Sequence, residues 1–245
     1  MTKVAIITGG GGGIGRASAI ALSKAGWTCV VAGRTQESLD ETLAACETPG
    51  LAVSCDVSKV EDVEDLFAKT VDAYGSVDFV FNNAGVTAGG VPADELPIEA
   101  WDNLIDINVN GAYYVARAAF GQMRKQENGG RIVNNGSISA DTPRLFSAPY
   151  TVSKHAVLGL TKSLALDGRR YKICCGQIDL GNISSSMGDE MAAGVLQADG
   201  SKQAEPVIGV EPVTDAIVYM AGLPTDVNVL RMNVMANGMP FVGRG

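Results

Sequence analysis

Short apolar, β-branched runs recur along the chain at residues 3–8, 28–32, 51–55, 77–81, 131–136, 172–178 and 229–234. Between them the apolar positions spread to helical spacing over 14–25, 36–46, 60–74, 101–126, 150–167 and 211–221. Strands that are apolar nearly throughout, rather than alternating, are buried on both faces, as in a parallel sheet covered by helices on either side. Regular alternation of the two patterns therefore predicts βαβ units in an α/β, doubly wound, mainly parallel seven-stranded sheet. No linker or charge block divides the 245 residues, so one domain over 1–245 is expected. The stretch from Asn182 to about Gly209 fits neither period and is rich in Ser, Met, Gly and Ala. It follows a strand's carboxyl end and is longer than an ordinary connection, so 182–209 reads as a substrate lid.

Charge narrows the partners. Lys plus Arg number 19 against 27 for Asp plus Glu, a net charge of −8, which argues against the basic footprint that nucleic acid or an anionic membrane selects. No apolar run reaches transmembrane length, and the first residues enter a strand pattern at Lys3–Ile7 without a signal segment; a cytoplasmic location is expected. Five cysteines (Cys29, Cys46, Cys55, Cys174, Cys175) are an odd number without C-x-x-C spacing and read as reduced thiols, most of them buried. His155 is the only histidine, which removes His-based triads and argues against a metal site.

The candidate chemistry lies where strands end. Thr8 opens the run Gly9 to Gly13, then Ile14-Gly15, between the first strand and a helix. Glycines there permit the turn and let backbone N–H groups and a helix N-terminus approach a pyrophosphate. A Rossmann-type dinucleotide fold is the reading. Where such folds often place an acid for the adenosine ribose diol, this chain has Gly33-Arg34. A missing acid removes repulsion from a 2′-phosphate and the arginine offers a planar fork for it, so NADP(H) is favoured, with NAD(H) possible. Tyr150 and Lys154 are four apart, which on a helix puts phenol and ammonium on one face, where the cation favours phenolate. Ser137, thirteen residues before Tyr150, supplies a second hydrogen-bond donor for charge developing on a carbonyl oxygen.

Thr8-Gly9-x-x-x-Gly13-Ile14-Gly15, Asp56-Val57, Asn82-Asn83-Ala84-Gly85, Asn108-x-x-Gly111, Ser137 and Tyr150-x-x-Ser153-Lys154 resemble, in order and separation, the short-chain dehydrogenase/reductase family over about residues 3 to 185. Within it the chain is similar to the branch of 3-oxoacyl-carrier-protein reductases and sugar or alcohol dehydrogenases. The resemblance implies Tyr150 as general acid/base and Lys154 as its supporting cation and a ligand of the nicotinamide ribose. Ser137 would hold the substrate oxygen, and Asn108 would anchor a water relaying protons to Lys154. Asp56 and Val57 would meet adenine, Asn83 would lie on the adenosine side and brace the central strands, and Ile183 would touch the cofactor. It also implies a homotetramer packed through the helices at 101–126 and 150–167, and a small carbonyl or alcohol as substrate.

Two neighbours compete for attention: Ser139, which the thirteen-residue separation sets aside in favour of Ser137, and Arg144, which reads as a solvated loop arginine rather than a ligand for an anionic substrate. Two departures stand out against the resemblance. Leu180-Gly181 replaces the frequent Pro-Gly, with Ser185 where a threonine is usual, and the tail from Asn228 to Gly245 lacks the glycine-rich ending. The expected activity is hydride transfer between NADP(H) and a ketone or secondary alcohol; the rivals are an NAD-dependent alcohol or sugar dehydrogenase and a cofactor-binding regulator without turnover.

Overall fold

The structure, a computed structural model, describes residues 2–184 and 194–242. Seven parallel strands form one sheet: β1 (Val4–Thr8), β2 (Thr28–Gly33), β3 (Leu51–Ser54), β4 (Phe79–Asn82), β5 (Gly130–Asn135), β6 (Ile173–Leu180) and β9 (Arg231–Val234), in the order β3-β2-β1-β4-β5-β6-β9. A short antiparallel pair, β7 (Val195–Leu196) and β8 (Lys202–Gln203), stands apart.

The strands are apolar throughout because both faces are covered. In β1, Val4 and Ile6 enter one core with α3 (Val60–Tyr74), α5 (Ala112–Met123) and α6 (Ala148–Asp167). Ala5 and Ile7 enter the other with α1 (Gly13–Lys24), α2 (Gln36–Ala44) and α7 (Glu211–Gly222). That is the period-two geometry of a strand between two helical layers. Helix α3 shows the matching helical rule, burying Val63, Leu66, Phe67 and Thr70 on one face while its first turn carries Glu61 and Asp62. Each such apolar side chain contributes about 1.5–3 kcal/mol by leaving water.

The sequence expectation of one helix over 101–126 is corrected in detail. The helical run opens with α4 (Ile98–Ile105), widens into a π turn at Asp106–Gly111, and resumes as α5, ending at Met123. A π turn shifts bonding to i→i+5 and is frequent at functional sites. Strand β6 runs two residues past the expected end, to Leu180, beside β9.

From β1 the chain steps outward to β2 and β3, then returns across β1 to β4, so the winding reverses between β1 and β4. The crevice beyond the carboxyl ends of these strands is where open α/β sheets take ligands. Beyond β9, Ala236 and Met239 pack with Ile138, Ile208 and Phe241, folding the tail over the turn that follows β5.

Candidate active site

At the reversal, three strand ends are tied together. Thr8 Oγ1, fully buried, accepts the N–H groups of Asn83 (2.9 Å) and Ala84 (3.0 Å). Asn83 Nδ2 donates to Thr8 O (2.9 Å), and its Oδ1 accepts from Asn135 Nδ2 (2.9 Å), so one amide links β1, β4 and β5. Asn83 thus braces the central strands.

The glycine turn rests on this brace. Gly9 has φ +65°, and a Cβ on Gly15 would come 2.2 Å from Gly9 O, so the first turn of α1 lies against the turn itself. Gly12, by contrast, has nothing within 4 Å of where a Cβ would point. It caps α1 with no side-chain hydrogen bond, which leaves the helix's first N–H groups available to an anion. This cradle of bare backbone fits a pyrophosphate.

Arg16, which the sequence did not single out, holds the loop from behind. Its guanidinium donates to Gly11 O (2.8 Å), Ser38 O (3.1 Å), Thr42 Oγ1 (3.1 Å) and Glu41 Oε2 (2.8 Å), joining the turn to α2.

Arg34 follows β2, exposed, and has no hydrogen bond or ion pair among the described residues. Asp56, after β3, is held below the ordinary carboxylate range, first by hydrogen bonds from Ser58 and more weakly by the charges of Lys59 and Arg34. Val57 is buried where Gly111 of the π turn passes close to it. Arg34, Asp56 and the glycine turn therefore lie at neighbouring carboxyl ends of the same sheet.

The second half of the site starts with α6. Ser147 precedes the helix and Pro149 lies in its first turn, where a missing N–H costs nothing. Tyr150 and Lys154 then fall one turn apart. Lys154 is buried; its Nζ donates to Asn135 O (2.8 Å) and lies 5.4 Å from the centre of the Tyr150 ring. A buried ammonium needs such partners. The Asn135 carbonyl is a backbone group that no residue pattern reveals. Asn135 Oδ1 is buried without a partner among the described residues, a further acceptor on the same residue.

Ser137 stands beyond β5 at the head of a short 3₁₀ turn, Ile138–Ala140, which packs against α6. Its Oγ accepts the Ser139 N–H (3.1 Å), which leaves the hydroxyl proton to donate elsewhere. The backbone N–H of Ser139 thus supports the Ser137 oxygen.

Asn108 occupies the π turn. Its Oδ1 accepts Val86 N–H (2.8 Å), and its Nδ2 donates to Val86 O (2.8 Å) and Ser153 Oγ (3.3 Å). Ser153 in turn donates to Tyr150 O (2.8 Å), so the turn after β4 and the helix bearing Tyr150 are joined through one amide.

The segment after β6 is held by charge. Ile183 is buried, its backbone bridging Ile208; Ser184 N–H donates to Ile208 O (2.8 Å), and Ile208 N–H to Asn182 O (3.1 Å). Ser185 lies outside the described residues.

Arg144 is not a solvated arginine. It donates to both oxygens of Glu205 (2.8 and 2.6 Å) and to Asn182 Oδ1 (3.2 Å), while Asn182 Nδ2 (3.0 Å) and Gln197 Nε2 (3.1 Å) also donate to Glu205. The Glu205 side chain is only 2% exposed. Burial raises its pKa, but the hydrogen bonds from Arg144, Asn182 and Gln197 and the guanidinium charge outweigh that and bring it down to about 2. The acid that decided Arg144's place is sixty-one residues away in sequence.

The cysteines are unpaired; burial pushes the thiols of Cys29, Cys55 and Cys175 up to about 12, so these are inert packing groups. Among the described residues no helix is long and apolar enough to cross a membrane.

A parallel sheet with a bare glycine cradle at its reversal and a serine, tyrosine and lysine gathered beside it defines a dinucleotide-dependent oxidoreductase. Residues 3–195 match the short chain dehydrogenase family, and the chain belongs to it. An uncharacterized oxidoreductase of Staphylococcus epidermidis is 31% identical over 232 residues, covering 95% of this chain and 96% of that one. Among solved structures, an actinorhodin polyketide ketoreductase with NADPH superposes with a TM-score of 0.86 at 28% identity, covering 96% of each chain. A xylitol dehydrogenase bound to NAD+ gives 0.86 at 26% identity, covering 95% of this chain and 97% of that one. The protein is thus an oxidoreductase working between alcohol and carbonyl with a nicotinamide cofactor.

Proposed function

We propose that the chain is an NADP(H)-preferring reductase or dehydrogenase of ketones and secondary alcohols in which Tyr150 is the general acid/base. The observation that carries this is the buried Lys154 ammonium, anchored on Asn135 O, one helical turn from the Tyr150 ring and next to the turn that presents the Ser137 hydroxyl.

When bound, the nicotinamide supplies or accepts the hydride. The glycine turn Gly9–Gly13, with Ile14 and Gly15, would hold the pyrophosphate on the N-terminus of α1. Asp56 and Val57 would line the adenine side, and Ile183 would supply a further cofactor contact. Arg34, exposed and uncommitted among the described residues, favours a 2′-phosphate over a ribose diol.

In the reductive direction Ser137 donates to the substrate oxygen, Tyr150 gives it a proton, and Lys154 steadies the phenolate left behind. Asn108, whose side-chain amide is held by Val86 and Ser153, anchors the relay water between Lys154 and solvent in this reading. The segment at 182–209 is the substrate lid in this reading; its residues 185–193 lie outside the described residues, and Glu205 ties its described part to Arg144 and Asn182. The homo-oligomer implied by the family forms through α5 and α6, where Tyr113, Val152 and Leu166 stand exposed.

Tyr150→Phe tests the assignment. It deletes the proton donor while keeping the ring, so turnover should fall by at least about a hundredfold, the lower end of general acid–base contributions. NADPH affinity should stay within about twofold, since the pyrophosphate cradle is untouched. Single-turnover reduction at near wild-type rate would remove Tyr150 from the chemistry.

A further inference from the structure

The turn that presents Ser137 is gripped from below by groups that take no part in the proposed proton transfer. Asp179, on β6, is fully buried. Its Oδ1 accepts the backbone N–H of Ser137 (2.9 Å) and Gln177 Nε2 (2.7 Å). A Cβ on Gly136 would fall 2.1 Å from that oxygen and 2.5 Å from Gln177 Nε2. Residue 136 is therefore glycine because the carboxylate fills the place of its side chain.

The other oxygen of Asp179 accepts from Nε of Arg231, on β9. The remaining fork of that guanidinium grips Asp141, with Nη1 donating to Oδ1 (2.9 Å) and Nη2 to Oδ2. Asp141 is the C-terminal cap of the 3₁₀ turn whose N-terminal cap is Ser137. One line of acid, guanidinium and acid thus fastens both ends of the turn.

The grip continues across the sheet. Thr161 Oγ1 accepts from Asn134 Nδ2 (2.9 Å) and shares its one proton between Val157 O (2.9 Å) and Gln177 Oε1 (3.0 Å). Asn134 Oδ1 accepts from Asn82 Nδ2 (3.0 Å), which also donates to Ala112 O (2.9 Å). Thr161 lies on α6, two turns beyond Lys154. A buried hydrogen-bonded chain of this kind stiffens as a unit.

We infer that Asp179 and Arg231 are positioning residues for Ser137: the carboxylate fixes the serine backbone, the guanidinium fixes the far end of its turn, and together they aim the Ser137 hydroxyl at the substrate oxygen. The inference rests on Ser137 acting as proposed above. A misplacement of about 1 Å is enough to cost about a hundredfold in rate, so a grip of this kind has catalytic weight without touching substrate.

The test is a double-mutant cycle of Asp179→Asn with Ser137→Ala, with slow variants followed over hours and NADPH affinity and the exchange protection of the residue-137 amide measured alongside. Asp179→Asn keeps the volume but removes the charge facing Arg231. With Ser137 present it should lower kcat about tenfold, leave NADPH affinity within about twofold, and cut protection of the Ser137 amide. In the Ser137→Ala background the same change should alter kcat less than about twofold, because the group being aimed is gone. Equal losses in both backgrounds, or no loss in either, would overturn the positioning role.

Arg231→Lys should keep more activity than Arg231→Met, since it keeps the charge. If Asp179→Asn does not fold, Asp141→Asn carries the cycle at a half-exposed residue, with a loss of about threefold expected only when Ser137 is present. No loss there, or the same loss without Ser137, overturns the inference equally. The Ser137→Ala single variant is read separately. If it retains wild-type kcat, the proposed role of the serine itself fails.

Discussion

Replacing Glu205 by Gln puts an NH₂ group where the Arg144 guanidinium donates and removes the charge that balances it. The structure sets the expected size. The ordinary carboxyl value of 4.5 is depressed to about 2 in the folded protein, and at about 1.4 kcal/mol per pH unit that gap corresponds to roughly 3 kcal/mol. The figure agrees with the roughly 3–5 kcal/mol expected when one partner of a buried pair is deleted.

Because the folded pKa is lowered, the stabilisation is complete above the unfolded value and disappears as pH falls toward the folded one. The difference between wild type and Glu205→Gln should therefore be full at pH 7, about half as large near pH 3, and a few tenths of a kcal/mol at about pH 2. The readout is local: the amides of Ser184 and Ile208 bond across the seam that Glu205 secures. Their exchange protection should drop about a hundredfold in the variant at pH 7. Unchanged protection of both amides, or a loss that persists undiminished at low pH, would show that the carboxylate charge does not hold this segment.

Arg34→Ala should weaken NADPH by about 1.5–3 kcal/mol in titrations while leaving NADH nearly unchanged; equal weakening of both would withdraw the 2′-phosphate role and with it the NADP preference. Within the glycine run the consequences should diverge. Gly12→Ala, with open space around its Cβ and an extended backbone, should change cofactor-free stability by less than about 0.5 kcal/mol. Gly15→Ala, whose Cβ would meet Gly9 O at 2.2 Å, should lower the denaturation midpoint markedly, by more than about 1 kcal/mol of stability. Similar midpoints for the two variants would refute the packing argument for the turn.

The central strands and the Tyr150–Lys154 pair were legible because their signals are local: a run of apolar residues between two helical stretches, and two side chains one turn apart. The glycine motif was legible because a cramped turn leaves few other residues possible. What escaped depends on partners distant in sequence. Arg144 read as solvated because Glu205 lies far along the chain, in a stretch without clear period. Strand β6 was expected to stop at 178; it continues through Asp179, which Arg231, fifty-two residues later, pairs inside the sheet. The π turn within the long helix left no mark in hydrophobic spacing, since it changes backbone bonding while α5 keeps its apolar face. Arg16 was silent for a related reason: its partners are mainly backbone carbonyls and hydroxyls, which any sequence supplies.

The last strand carries a consequence for how the protein comes into being. The cradle for the dinucleotide draws on residues between Val4 and Asn83, and the brace from Asn135 is complete before β6 is made. Arg231 reaches back ninety residues to Asp141, and the tail that covers Ile138 comes later still. On the ribosome, where the chain grows from its N-terminus, the dinucleotide cradle can therefore assemble well before the serine turn receives its clamp. The residues of the cradle and of its brace thus precede, in order of synthesis, the arginine that clamps the serine turn.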